Sequence, residues 1–180
     1  MKVYLASWFA SKDEIKQRAE QLRAAGVEVT SRWLEETVKP TVAIQEVEDP
    51  YLRETAQIDI EDVLLANYVV LNVPSANDLK TVDIPVSSWA RGGRHFESGF
   101  QYATMMFFLW LPESIKKTGP RGMVLVGHRE NVFHYLDGVN KQLKALGFSL
   151  PMIPLFETWG GARDYLITLS RSEPALAATR

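Results

Sequence analysis

The sequence predicts a doubly wound α/β fold, a parallel sheet of about five strands flanked by helices. Three observations predict it. Short apolar runs recur along the chain as "KVYLA", "YVVLNV" and "MVLVG"; continuous apolar, β-branched runs mark strands buried on both faces. Stretches with helical periodicity separate those runs. The first link, from "KVYLASWFA" through "SKDEIKQRAEQLRAAG" to "VEVTSRW", reads β-α-β with connections short enough for a parallel pair.

Each element follows from local chemistry. In the first helix Ser11 is placed as an N-cap with Glu14 three residues on, the pattern of a capping box. Ile15, Ala19, Leu22 and Ala25 then recur at helical spacing, and Gly26 stops the helix. "LEETVKPTVAIQEVEDP" is polar and irregular and reads as a loop. "YLRETAQIDIEDVLLAN" reads as a second helix, with Leu52, Ala56, Ile60, Val63 and Leu64 near one face. "YVVLNV" is the central buried strand. The long segment "PSANDLKTVDIPVSSWARGG" is a loop, of a length usually functional. "RHFESGFQYATMMFFLWL" reads as a third helix, "MVLVG" as a fourth strand, and "RENVFHYLDGVNKQLKALG" as a loop turning into a helix. "PMIPLFET" gives a fifth, extended element and "WGGARDYLITLSR" a last helix. Residues 1–180 form one domain, without internal repeats.

Composition narrows the function. The chain is 46% hydrophobic and 23% charged, ordinary values for a globular protein. It has no cysteine, which removes disulfides, thiolate metal sites and thiol nucleophiles and fits a reducing compartment. A net charge of −2 argues against a surface for a nucleic acid polymer but not against a single nucleotide. The N-terminus lacks the pattern of a signal peptide, and "FQYATMMFFLWLP" is too short to span a bilayer. A cytoplasmic protein without membrane attachment is expected.

In an open parallel sheet, ligands bind beyond the carboxyl ends of the strands, at the switch point. The turn after the first strand, "SWFASK", carries neither a dinucleotide nor a P-loop glycine motif. The stretch "RGGRHFESGF" lies ahead of the third helix. Gly92 and Gly93 allow close backbone approach. Glu97 would fall in the first helical turn, where free N–H groups hold a carboxylate ionised, as a nucleophile requires. An acid there also serves helix stability alone.

Asp59 and Asp62 lie three residues apart on the second helix. Asp59, between Ile58 and Ile60, is the one expected to be partly buried and able to move a proton. Asp62 reads as solvated. Tyr4 on the first strand needs a partner for its hydroxyl and could orient a carboxylate. Asn131, after the fourth strand, could bond a base or sugar or cap the next helix. Arg91, Arg94 and Arg129 flank the expected mouth and would suit a phosphate or surface ion pairs. Trp8, Phe9, Trp89 and Trp159 could stack on a base or pack in the core. His95, His128 and His134 share no metal-ligand spacing, so no zinc site is expected.

Taken in order, "VYLASWF", an Asp before "ANYVVLNV", "GGRHFESGFQYA" and "VGHRENVFHYL" resemble the nucleoside 2-deoxyribosyltransferase family, with its nucleoside 5′-monophosphate N-glycosidase relatives. The resemblance runs from about Lys2 to Leu136, and the glycine and glutamate segment is its most specific part. It implies a flavodoxin-like (Rossmann-like) sheet and cleavage of an N-glycosidic bond with retention. It implies Glu97 as the nucleophile, Asp59 as the group that helps the base leave or holds the sugar, and Tyr4 as the residue that positions Glu97. Gly93 belongs to the matching motif, and Asn131 matches a sugar contact often made across a subunit boundary. Homodimers or higher homo-oligomers are implied, and no cofactor. Where transferases of this type often carry a further acid before the glutamate, this chain has "SSWARGG", with Arg91 in the approximate place. That departure, with Arg94, points toward a 5′-phosphate and so toward hydrolysis of nucleotides beside transfer between bases. A nucleotide sensor without turnover is the rival from another class; it has no need of both Glu97 and Asp59.

Overall fold

The sheet forms where buried apolar runs meet in parallel register. The computed structural model describes residues 1–36, 49–73, 93–108, 119–127, 141–142, 144–145, 147 and 153–172. Its strands are β1 (Lys2–Ala6), β2 (Glu28–Val29), β3 (Tyr68–Val73), β4 (Gly122–Gly127) and β5 (Leu155–Phe156). They form one five-stranded sheet in the order β2-β1-β3-β4-β5, and every pairing is parallel. The helices around it are α1 (Lys12–Ala24), α2 (Asp49–Leu65), α3 (Gly93–Phe108) and α4 (Trp159–Ser172). This is the flavodoxin-like α/β fold, and its switch point lies between β1 and β3.

Register decides which side chains share a face. Tyr4 pairs with Val69 and Ala6 with Leu71, and these continue to Met123 and Leu125 on β4. Paired residues of parallel neighbours point to the same side, so Tyr4 shares its face with Val69 and Met123. That face meets α2 and α3, because the Tyr4 hydroxyl reaches both helices. The alternate residues, among them Val70, Asn72 and Phe156, face α1 and α4. Arg18 of α1 bonds Asn72, and the Tyr165 ring of α4 packs at a tilt against Phe156, with ring centres 5.3 Å apart. Both layers are dry: Val3, Tyr4, Val69, Leu71, Met123 and Val124 are fully buried.

Several local expectations change. β2 holds only Glu28 and Val29, and the rest of "VEVTSRW" leaves the sheet to form a 3-10 turn over Arg32–Glu35. Ser11 makes no capping bond. Its hydroxyl donates to the Trp8 carbonyl at 2.6 Å, because a 3-10 turn over Phe9–Ser11 precedes α1 and consumes it. The buried stripe of α1 is Ile15, Ala19 and Leu22, as the spacing predicts. On α2 the stripe is rotated from the expected one. Asp62 and Val63 are buried while Ala56 and Leu64 are exposed. The long segment before α3 and the helix expected within 129–147 lie largely outside the described residues.

Gly127 closes β4 with φ +107. A Cβ there would sit 2.1 Å from the Val73 carbonyl oxygen. Neither the handedness nor the contact can relax cheaply, since the clashing atom is backbone of a central strand. Gly127→Ala is therefore expected to cost roughly 2–5 kcal/mol, from strain and overpacking together. The midpoint of urea unfolding measures it; an unchanged midpoint would show that the strand end shifts freely.

Candidate active site

Three predicted residues meet at one atom. The Tyr4 hydroxyl donates to Glu97 Oε1 at 2.8 Å and lies 3.3 Å from Asp59 Oδ1. They come from β1, α3 and α2, so the tertiary fold alone assembles them, across 93 and 55 residues of sequence. Tyr4 is fully buried. A buried phenol requires a partner, and here it has two carboxyls.

The stoichiometry of that contact is informative. A phenol has one hydrogen and can donate to one acceptor at a time. The shorter bond places it on Glu97. The contact to Asp59 is satisfied when Asp59 carries a proton and donates to the phenolic oxygen. The geometry thus fits a pair that shares one proton, with one carboxyl neutral and the other charged.

Electrostatics give the pair unusual proton affinity. Burial and then the neighbouring Asp59 charge push the Glu97 carboxyl up to about 8, against the pull of the Tyr4 hydrogen bond. Burial and then the Glu36 charge push Asp59 up to about 7, opposed by Tyr4 and Arg32. Tyr4 itself is raised, by burial first and then by the Glu97 and Asp59 charges. Two acids this close titrate as a unit, and the unit gives up protons around neutrality. This overturns the expectation for Glu97. It sits a full turn inside α3, past the helix end where free N–H groups would favour the anion. Burial dominates instead.

Two further acids differ from what the sequence predicts. Asp62, expected to be solvated, is 1% exposed. Its carboxylate accepts bonds from the Arg32 backbone N–H and from Arg32 Nε, both at 2.7 Å. Glu36 falls in the segment that the sequence reads as loop. Its charge raises both Asp59 and Glu97, so it faces the pair. Tyr51 bonds its carboxylate, and Lys12 Nζ donates to its carbonyl. The cue in sequence was slight: a second acid in "LEET", beyond a strand end.

The other predicted residues divide. Trp8 and Phe9 leave the carboxyl end of β1. Phe9 lies against Trp33 with ring centres 6.0 Å apart, and Lys12 Nζ stands 5.0 Å from the Phe9 ring. The Trp8 indole nitrogen is buried with no hydrogen-bond partner among the described residues. Asn72, hidden in an apolar strand, anchors this turn from the opposite face. It donates to Ser7 Oγ at 3.1 Å and accepts from Arg18. Trp159 belongs to that opposite face too, since its indole donates to Gln21 at 2.7 Å and Arg18 lies 5.2 Å over its ring. It is therefore not brought to the carboxyl pair. Gly93 and Arg94 open α3. Arg91, Trp89, Arg129 and Asn131 lie outside the described residues, as do His128 and His134. Among the described residues no cluster of three or more His, Asp or Glu side chains could hold a metal ion. No described helix is long and apolar enough to cross a membrane.

No protein-family model and no curated protein sequence matches the chain. Solved structures do. A 2-deoxyribosyltransferase from the psychrotolerant bacterium Bacillus psychrosaccharolyticus is similar over 92% of each chain, with a TM-score of 0.51 and 18% identity. The CMP N-glycosidase of Clostridium botulinum aligns over 94% of this chain and 99% of its own, with a TM-score of 0.44 and 14% identity. The first of these shows that the fold is shared.

Proposed function

We propose that the protein cleaves the N-glycosidic bond of a 2′-deoxyribonucleoside or its 5′-monophosphate, through a covalent intermediate on Glu97. The observation that carries this reading is the Tyr4 hydroxyl set between Glu97 and Asp59. The structural neighbour named for 2-deoxyribosyl transfer supports the choice of bond, as does the sequence resemblance.

In the first step the Glu97 carboxylate attacks the anomeric carbon and the bond from that carbon to the base nitrogen breaks. The bonding pair leaves with the base, and Asp59 delivers its proton to it. The Tyr4 hydrogen bond holds Glu97 in place while positive charge develops on the sugar, and the carboxylate stabilises that charge. In the second step another base attacks the same carbon, its proton passes to the Asp59 carboxylate, and Glu97 departs as carboxylate; water in place of the base gives hydrolysis. Bonds of 2.8 and 3.3 Å to one oxygen hold the carboxyls together. Both carboxyls can therefore serve one reacting centre, one attacking and the other handling the proton, which suits double displacement.

Incubation with deoxynucleosides and with their 5′-monophosphates, with and without an acceptor base, tests the reading by chromatography. Free base is expected in both series, and a new nucleoside when an acceptor is present. Faster release from the monophosphates would support the phosphate role expected of Arg91 and Arg94. Binding without release or exchange from any substrate would overturn the enzyme reading in favour of a sensor.

A further inference from the structure

β2 ends at Val29, so the outer edge of β1 has no strand to bond beyond Val3. Side chains of the next segment take that place. The Leu5 N–H donates to Ser31 Oγ at 2.6 Å, and the Trp33 indole N–H donates to the Leu5 carbonyl at 2.9 Å. The same segment grips α2. Thr30 Oγ1 donates to the Asp62 carbonyl at 3.0 Å. Arg32 donates to the Asp62 carboxylate through its backbone N–H and Nε. Its Nη2 reaches the Ile58 carbonyl at 3.4 Å and the Glu61 carboxylate at 3.0 Å. Ile58, Glu61 and Asp62 stand on both sides of Asp59. One short segment thus bonds β1 beside Tyr4 and α2 around Asp59.

We propose that Arg32 is a positioning residue for the carboxyl pair: by bridging Ile58, Glu61 and Asp62 it holds Asp59 against the Tyr4 hydroxyl. The inference rests on the reading of Asp59 as the proton donor to the leaving base. Ser31 and Trp33 are buried and shape the core. The Arg32 side chain, in contrast, is 51% exposed, so the fold does not need it to fill space. Its position also gives it a charge effect. Asp59 faces Tyr4 from β1, Glu97 from α3, Asp62 on its own helix and Glu36 from the segment after β2. Against these acids Arg32 is the cation that favours the Asp59 anion. Without it Asp59 holds its proton to higher pH.

The test pairs Arg32→Gln with Arg32→Lys and uses two readings. One is the carboxyl-carbon titration of Asp59 by NMR in the free protein; the other is the pH profile of base release. Arg32→Gln is expected to raise the Asp59 midpoint, since both the Tyr4 bond and the Arg32 charge that favour its anion are weakened. It should move the high-pH limb of activity the same way and lower kcat about tenfold, with KM nearly unchanged. Arg32→Lys keeps the charge and is expected to restore the midpoint. An Asp59 midpoint that does not move in Arg32→Gln overturns the proposal, whatever the rate does, since a merely structural role lowers the rate without shifting the titration. Should the Gln variant not fold, Arg32→Met decides by the same two readings. The titration needs no turnover, so a wild type that releases no base would sink the function while leaving the placement of Asp59 decided on its own.

Discussion

Glu97→Gln is expected to lower kcat for base release by about a thousandfold or more, because it removes the proposed nucleophile and leaves only binding and proton donation. Glutamine is the informative replacement. Its amide oxygen can still accept the Tyr4 hydrogen bond, now 2.8 Å long, so position and volume are kept while charge and nucleophilicity are lost. Initial rates at saturating substrate give the comparison. Acid-quenched wild type should carry one deoxyribosyl adduct by intact mass, and the variant none. If Glu97→Gln released base at the wild-type rate, the double-displacement mechanism would be wrong, and the arrangement around Tyr4 would need another explanation.

Much of the scaffold was legible, for a plain reason. Strands buried on both faces must be apolar throughout, so "YVVLNV" announced β3 with its bounds intact. The order of the sheet followed from alternation and short links. The edges were less legible. β2 pairs at two positions only, because Ser31 and Trp33 replace its continuation with side-chain bonds to Leu5. Such a substitution of side chain for strand leaves no periodic signal.

The face of α2 shows a deeper limit. Reading apolar spacing alone selects Ala56 and Leu64, and both are exposed. The inward face carries Asp59 and Asp62 instead, since one meets the Tyr4 hydroxyl and the other the Arg32 side chain. Apolar spacing fails on a face whose polar groups find their partners only in the folded chain. The same holds for Glu97. Its proposed role was suggested by resemblance to a family, whereas the residues alone favoured a helix-stabilising acid. Its partial burial belongs to the packing of α3 on the sheet, and no window of sequence contains it. Glu36 was invisible for a related reason, since only the tertiary fold turns it toward the pair.

Burial of these acids has a thermodynamic signature that is independent of turnover. Glu97 goes from an ordinary value of 4.5 to about 8 in the folded protein, and Asp59 from 3.8 to about 7. The native state therefore holds protons that the unfolded chain has released. Stability falls with pH wherever the native state binds more protons, so it should decline from about pH 4 to pH 8. Below that window both acids are neutral in both states and no loss is felt. Above it each acid is ionised in both states, and the full cost of a buried anion is present. Glu97→Gln removes the larger share of that cost. The variant is expected to unfold at nearly the wild-type temperature near pH 5 and to gain on the wild type as pH rises. The gain by pH 9 should be on the order of a few kcal/mol, or roughly 10 °C in Tm for a chain of this size. Thermal unfolding of both proteins from pH 5 to 9 measures it, and parallel curves would mean that Glu97 is hydrated in the native state. A gain in stability joined to a loss of turnover has a direct physical meaning. The anion that burial disfavours is the one that a developing sugar cation would stabilise, so the strain that weakens the free protein is relieved as the glycosidic bond breaks.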